Sequence, residues 1–200
     1  MKKKYYITTP IYYPSAKPHM GHAYSSISTD FIARYRRLEG FDVEFVTGTD
    51  EHGQKIQKSA KKKNLPPLDF CNKISKVFLD LGKVLNLSNT DFIRTTENRH
   101  YKTVQKLWKI LEEKKFIYLS KYSGWYSISD EAFYSESEII DKENIKLCEA
   151  TGSIVEWVEE ESYFFKLSEF QDILIKHYED NPDFIQPASR RNEVISFVKD

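Results

Sequence analysis

Apolar positions in the first fifty residues change period twice. Lys4–Thr9 sets Tyr5, Tyr6 and Ile7 beside two threonines, a run that suits a buried strand, and Pro10 and Pro14 end it. From His19 the period becomes helical: Ala23, Ile27, Phe31, Tyr35 and Leu38 recur at spacings of three and four. Arg34, Arg36 and Arg37 fall in the last turns, where cations suit the helix dipole, and Gly40 stops the helix. Phe41–Thr47 returns to a strand, followed by the loop Gly48–Gly53. A helix-length crossover between two strands predicts parallel pairing with a right-handed connection. Ligands collect beyond the carboxyl ends of such strands. Both loops are therefore expected at one sheet edge, which brings His19, His22 and Asp50 together.

Further along, Gln54–Lys63 is a short basic helix whose five lysines read as a solvated face. Leu68–Leu85 follows Pro66 and Pro67 as an amphipathic helix with Phe70, Ile74, Val77, Phe78, Leu81 and Leu85 on its apolar stripe. Asp91–Thr95 is a short strand. Thr95 or Thr96 caps a helix from Glu97 to about Lys115 that is expected to bury Val104, Leu107, Trp108 and Leu111. At Phe116 the pattern breaks into short alternating runs punctuated by Gly124, Asp130 and Gly152, which predict a small antiparallel β insertion. Ser168–Gln171 reads as a capping box opening a helix to Asp180 before Pro182, and a last helix covers Ala188–Val198. The expected class is α/β, with residues 1–115 as a Rossmann-like half and residues 116–200 as an inserted connective domain with returning helices. The last helix meets no stop signal before Asp200, so the chain reads as truncated.

Composition sharpens this division. Net charge is zero over 200 residues, yet residues 1–115 carry 22 Lys and Arg against 12 Asp and Glu, and the remainder 8 against 18. The basic half could attract a polyanion or a nucleotide, or the opposite charges could hold two lobes together. No apolar run is long enough to span a bilayer and no secretory signal core follows Met1, so a cytoplasmic location is the default. Cys71 and Cys148 form no Cys-x-x-Cys pair, so two buried thiols are expected rather than a zinc knuckle or a disulfide framework.

The densest chemistry lies at Pro18-His19-Met20-Gly21-His22. Orphan N–H groups and the positive end of the dipole at a helix start attract phosphate. Two imidazoles can donate to phosphoryl oxygens as charge builds, and a glycine between them lets a ligand approach the backbone. Neither commoner phosphate loop, Gly-x-x-x-x-Gly-Lys-Ser/Thr or Gly-x-Gly-x-x-Gly, is present. Asp50 could cap the next helix or pair with an ammonium group. Glu51 and His52 either orient the loop or face solvent. Ile11 and Tyr13 could pack in the core or line a pocket.

Residues 7–14, 18–24 and 45–56 together resemble the amino-terminal part of bacterial methionyl-tRNA synthetases, which are class I aminoacyl-tRNA synthetases. Residues 124–134, 155–168 and 189–194 extend the resemblance over the whole chain. It implies that His19, Met20, Gly21 and His22 bind ATP, with His19 and His22 stabilising the adenylation transition state. It implies that Asp50 holds the methionine α-ammonium and that Ile11 and Tyr13 line the methionine pocket. The implied reaction activates methionine with ATP and Mg²⁺ and transfers it to tRNA(Met). Many relatives hold zinc through cysteine pairs in the insertion. This chain resembles the zinc-free subgroup, with Trp125 and Tyr126 in that region. The family's lysine-rich second signature and its anticodon-binding domain are absent from these residues, so the chain is expected to be inactive alone unless a separate chain completes it. The alternatives are a tRNA-binding module without chemistry, a non-functional remnant of a split gene, or another nucleotidyl transferase of the His-x-Gly-His type.

Overall fold

The computed structural model describes residues 2–142 and 145–199. The expected lack of a stop at Asp200 lies outside the described residues. The first sheet joins β1 (Lys4–Thr8), β2 (Asp42–Thr49) and β3 (Asp91–Arg94) in that order, all parallel. Ile7 stands opposite Phe45 and Thr8 opposite Val46, and Gly48 stands opposite Ile93. Val43 and Phe45 are buried with Ala33 against Tyr5, Ile7 and Phe41. The parallel pairing expected from the crossover is what forms. The burial expected of the first strand is not. β1 lies at the sheet edge, its residues alternate between exposed and half-buried, and Tyr6 is 67% exposed. An apolar run reports affinity for a neighbour, and β1 has one on a single side.

β2 runs two residues past its expected end because β3 pairs with it as far as Thr49 and the first loop folds back onto its other side. The Tyr12 N–H donates to the Gly48 carbonyl at 2.8 Å, and the Asp50 N–H donates to the Tyr12 carbonyl at 2.9 Å. Gly48 is required by close approach: a Cβ there would lie 1.9 Å from the Ile93 carbonyl oxygen.

Helix α1 (Met20–Leu38) crosses from β1 to β2. Its apolar stripe is not its buried face. Ser26, Asp30 and Ala33 are buried, while Phe31 is 71% and Leu38 87% exposed. Polar bonds hold the buried side. Asp30 accepts from the Ser88 N–H at 2.7 Å, the Ser88 hydroxyl at 2.5 Å and Arg34 Nε at 2.7 Å. Arg37 donates to the Ser88 carbonyl at 3.0 Å. Helices α2 (Gln54–Lys62) and α3 (Pro67–Val84) share a core of Ile56, Ala60, Phe70 and Cys71. Helix α4 (Asn98–Glu113) buries none of its residues: Val104, Leu107 and Trp108 are 48%, 56% and 39% exposed, and Leu111 is only half-buried. Helical period identifies the apolar face but not whether an element covers it.

Downstream come β4 (Ile117–Ser127), β5 (Ala132–Tyr134), β6 (Ile139–Lys142), β7 (Ile145–Cys148), β8 (Glu156–Phe165), α5 (Gln171–Asp180) and α6 (Ala188–Lys199). The chain divides into two compact units, residues 1–106 with 126–155 and residues 107–125 with 156–200. In the first, β6 and β7 form an antiparallel hairpin with Ile139 opposite Cys148. In the second, β4 pairs with β8, and aromatic rings fill the space: Phe116, Phe165 and Phe170 cluster, and Trp125 meets Trp157 edge-on at 5.3 Å. The capping box expected at Ser168–Gln171 does not form. Leu167–Phe170 is a 3₁₀ turn, and α5 begins after Phe170 without a side-chain cap. The Phe170 ring is held between Phe116 and Phe165, and this packing sets the turn. Among the described residues no helix is long and apolar enough to cross a membrane.

The Gly48 contact gives a direct test. Gly48→Ala should lower stability by more than about 2 kcal/mol, because the obstructing atom is backbone and cannot turn aside. Gly82→Ala, whose Cβ would meet only a side-chain carbon at 3.8 Å, should cost nothing measurable. Urea denaturation of both variants checks this.

Candidate active site

The start of α1 is closed by two histidines. His19 is its N-cap, with extended backbone, and its Nδ1 accepts from the Gly21 N–H at 3.1 Å. His22, three residues on, turns its Nδ1 back to accept the His19 N–H at 3.0 Å. This is the reciprocal arrangement of a capping box, built with imidazoles instead of a hydroxyl and a carboxylate. The rings lie 3.9 Å apart. Gly21 fits because a Cβ there would come within 2.9 Å of the His19 ring.

The cap fixes chemistry as well as shape. An imidazole whose Nδ1 accepts must, when neutral, carry its proton on Nε2. In that form each ring presents an Nε2–H donor away from the helix start. Burial lowers the His22 pKa, and the neighbouring His19 lowers it further. Tyr12 supplies much of that enclosure. It is buried, stacks on Phe78 at 5.5 Å and meets the His22 ring edge-on at 4.9 Å. Its hydroxyl pairs with Ser26 at 2.7 Å. Sequence reading passed over Tyr12 because one tyrosine among apolar neighbours carries no periodic signal.

The second loop is held by Glu51. Its side chain is fully buried, and its carboxylate is the acceptor at the centre of a dense network. Arg94 donates through Nε at 2.7 Å and Nη2 at 2.9 Å. Thr49 donates at 2.8 Å, Thr96 at 2.5 Å, and Ser75 also donates. The Glu51 N–H donates to Thr95 Oγ1 at 2.8 Å. Burial alone would raise the carboxyl pKa. The bonds from Arg94, Ser75, Thr96 and Thr49 outweigh it and bring the value down to about 2. Of the two roles weighed for Glu51, it orients the loop. His52 is exposed, with Nε2 3.4 Å from the Thr95 carbonyl.

Asp50 is half-buried beside this anchor, its backbone tied to Tyr12. Tyr12 thus touches the histidine cap through its ring and the Asp50 loop through its backbone, so the two loops meet through one residue. Its neighbours Ile11 and Tyr13 are 42% exposed and half-buried respectively. Met20 is 82% exposed. The Tyr13 hydroxyl lies 2.7 Å from the His52 carbonyl and 3.0 Å from Glu131 Oε1. Burial, then Glu131 and Asp50, push its pKa up to about 12. Cys71 and Cys148 are buried free thiols, and burial raises Cys71 to about 11. Among the described residues no group of three His, Cys, Asp or Glu side chains could hold a metal ion.

The family description "tRNA synthetases class I (M)" matches residues 5–200. The chain belongs to this family of class I tRNA synthetases. It is similar to the methionine–tRNA ligase of Rickettsia typhi, 57% identical over 100% of the chain and 38% of that protein. The enzyme of the same name from Rhizobium meliloti is 54% identical over 98% of the chain and 38% of its own length. Among solved structures, Mycobacterium tuberculosis methionyl-tRNA synthetase in complex with methionyl-adenylate superposes with a TM-score of 0.93 at 49% identity, covering 98% of the chain and 39% of that protein. The apo form of the same enzyme gives 0.76 at 46% identity, over 100% and 38%. The chain therefore spans under two-fifths of the relatives it matches. As a class I (M) synthetase segment it has the α/β fold expected from its motifs.

The Glu51 anchor should be visible in stability against pH. Its folded pKa lies below the ordinary carboxylate value of 4.5, so its contribution is full above that pH and is lost as pH falls toward 2. The loss should amount to about 2 kcal/mol at pH 3 and be complete, at about 3 kcal/mol, only below pH 2. Arg94→Ala, which leaves a buried charge uncompensated, should cost about 3–5 kcal/mol at pH 7. Urea titrations at pH 7 and pH 3 on both proteins measure these changes.

Proposed function

We propose that this chain is the amino-terminal part of a methionine–tRNA ligase, with residues 1–115 supplying half of the nucleotide-binding catalytic fold and residues 116–200 its zinc-free connective insertion. The observation that carries the reading is Tyr12, which joins the histidine-capped helix start to the Asp50 loop at the carboxyl ends of the parallel strands. ATP phosphates would meet the Nε2–H groups of His19 and His22 at the positive end of the α1 dipole, with Met20 and Gly21 in the same turn. Magnesium arrives with the phosphates as part of the substrate. The methionine ammonium pairs with the Asp50 carboxylate, and Ile11 and Tyr13 form part of the wall for its side chain. The methionine carboxylate oxygen then attacks the ATP α-phosphorus, the bond to the bridging oxygen breaks, and pyrophosphate leaves as methionyl-adenylate forms. Negative charge grows on the phosphoryl oxygens in this step, which is where preorganised imidazole donors act. Transfer to tRNA(Met) follows, in the cytoplasm.

The second signature of the family, which would grip the phosphates from the other side, is not among these residues. The 200-residue chain should therefore show no methionine-dependent exchange of labelled pyrophosphate into ATP. Exchange approaching that of a complete synthetase would refute the expectation. In a complete synthetase carrying this segment, His22→Ala should lower the exchange rate on the order of 10²–10³.

One observation favours RNA binding without chemistry as the second reading. Ser15, Lys55, Lys58, Ser59, Lys62 and Ser129 line a concavity of ≈ 300 Å³ that no carboxylate enters. Under that reading, changing the three lysines to glutamine should reduce the slope of log affinity for tRNA against log salt by about 2. Filter binding across a salt series provides the measurement.

A further inference from the structure

Tyr13 is gripped from two sides, and one grip comes from far along the chain. Its phenol has a single proton. Two acceptors face the hydroxyl oxygen: the His52 carbonyl at 2.7 Å, from the loop after β2, and Glu131 Oε1 at 3.0 Å, from the turn between β4 and β5. Gly53 completes the fit, since a Cβ there would lie 2.5 Å from the Tyr13 oxygen and 3.6 Å from Glu131 Oε1.

The turn carrying Glu131 has its own foundation. Asp130 accepts from the hydroxyls of Thr151 at 2.7 Å, Ser153 at 2.8 Å and Tyr134 at 2.9 Å. The Asp130 N–H donates to Ser127 Oγ at 3.2 Å. Glu131 itself has a φ of +55°, a left-handed conformation that favours glycine or asparagine. Nothing in a solvent-facing turn calls for a glutamate there, and strain of this kind persists only where surrounding structure enforces it. Here the neighbouring Asp130 ties the turn in place, and the Glu131 carboxylate lies against Tyr13.

We propose that Glu131 is a positioning residue of the amino-acid pocket, acting through the Tyr13 hydroxyl to fix the ring that forms the pocket wall. This rests on the reading of Tyr13 as part of the methionine site. It assigns the insertion a role in amino-acid recognition, because the wall of the pocket is set by a residue more than a hundred positions from it.

The test uses the 200-residue chain with ¹³C-ring-labelled tyrosine, in four forms: unchanged, Glu131→Gln, Tyr13→Phe and the double variant. NMR titration should place the Tyr13 midpoint near 12 in the unchanged chain and lower in Glu131→Gln, because a carboxylate beside the phenol has been removed. An unmoved midpoint overturns the proposal. In a complete synthetase carrying this segment, methionine binding read by calorimetry should weaken about tenfold in Glu131→Gln, equivalent to ~1.4 kcal/mol. In the Tyr13→Phe background the same change should have no further effect. Additive losses would mean that Glu131 acts elsewhere and would also overturn it. If Tyr13→Phe leaves the methionine affinity of the complete synthetase unchanged while the midpoint still moves in Glu131→Gln, the pocket reading fails and the Glu131–Tyr13 contact stands. Glu131→Asp, which keeps the charge, should restore part of the midpoint and guards against loss of folding.

Discussion

A buried carboxylate holds this segment in register. Glu51 lies between the central strand, α3 and the end of β3 with the turn after it, and each of these gives it a donor: Thr49, Ser75, and Arg94 with Thr96. An uncompensated charge in that position would be intolerable, so the three elements must converge together or not at all. The loop carrying Asp50 inherits its place from that convergence. Arg94 also reaches Asn72 at 2.7 Å, which adds a second tie to α3.

Around this anchor the two site loops are coupled by backbone and aromatic contacts rather than by ion pairs. Tyr12 acts as the hinge pin: its main chain extends the sheet past Gly48, its ring packs on Phe78 and His22, and its hydroxyl reaches α1 at Ser26. The histidine-capped helix start and the Asp50 loop therefore meet at one buried residue. Under the proposed function this coupling aims the imidazole donors before charge develops.

Much of this was legible in the residues. The crossover length from Thr9 to Phe41 predicted parallel strands, and the two unusual loops were expected at one edge for that reason alone. What could not be read was partnership. Phe31, Leu38, Val104 and Leu107 have the spacing of a buried stripe and are exposed, because periodicity carries no information about what covers a face. Ser168–Gln171 has the composition of a capping box, yet Phe170 packing overrides it. The Glu51–Arg94 pair and the Glu131–Tyr13 contact join residues 43 and 118 positions apart, beyond the reach of any local pattern. The imidazole capping box was within reach, but only if histidine nitrogens are counted as cap acceptors alongside serine and glutamate oxygens.

That cap binds together two properties usually treated separately. The His19 and His22 rings each commit Nδ1 to the first turn of α1 and leave Nε2 outside it. Fraying of that turn would release both rings at once, so order in the helix end and readiness of the site form a single equilibrium. The exchange of the Gly21 and His19 amide hydrogens with solvent deuterium then becomes a direct clock for how often the site is assembled, with no substrate present.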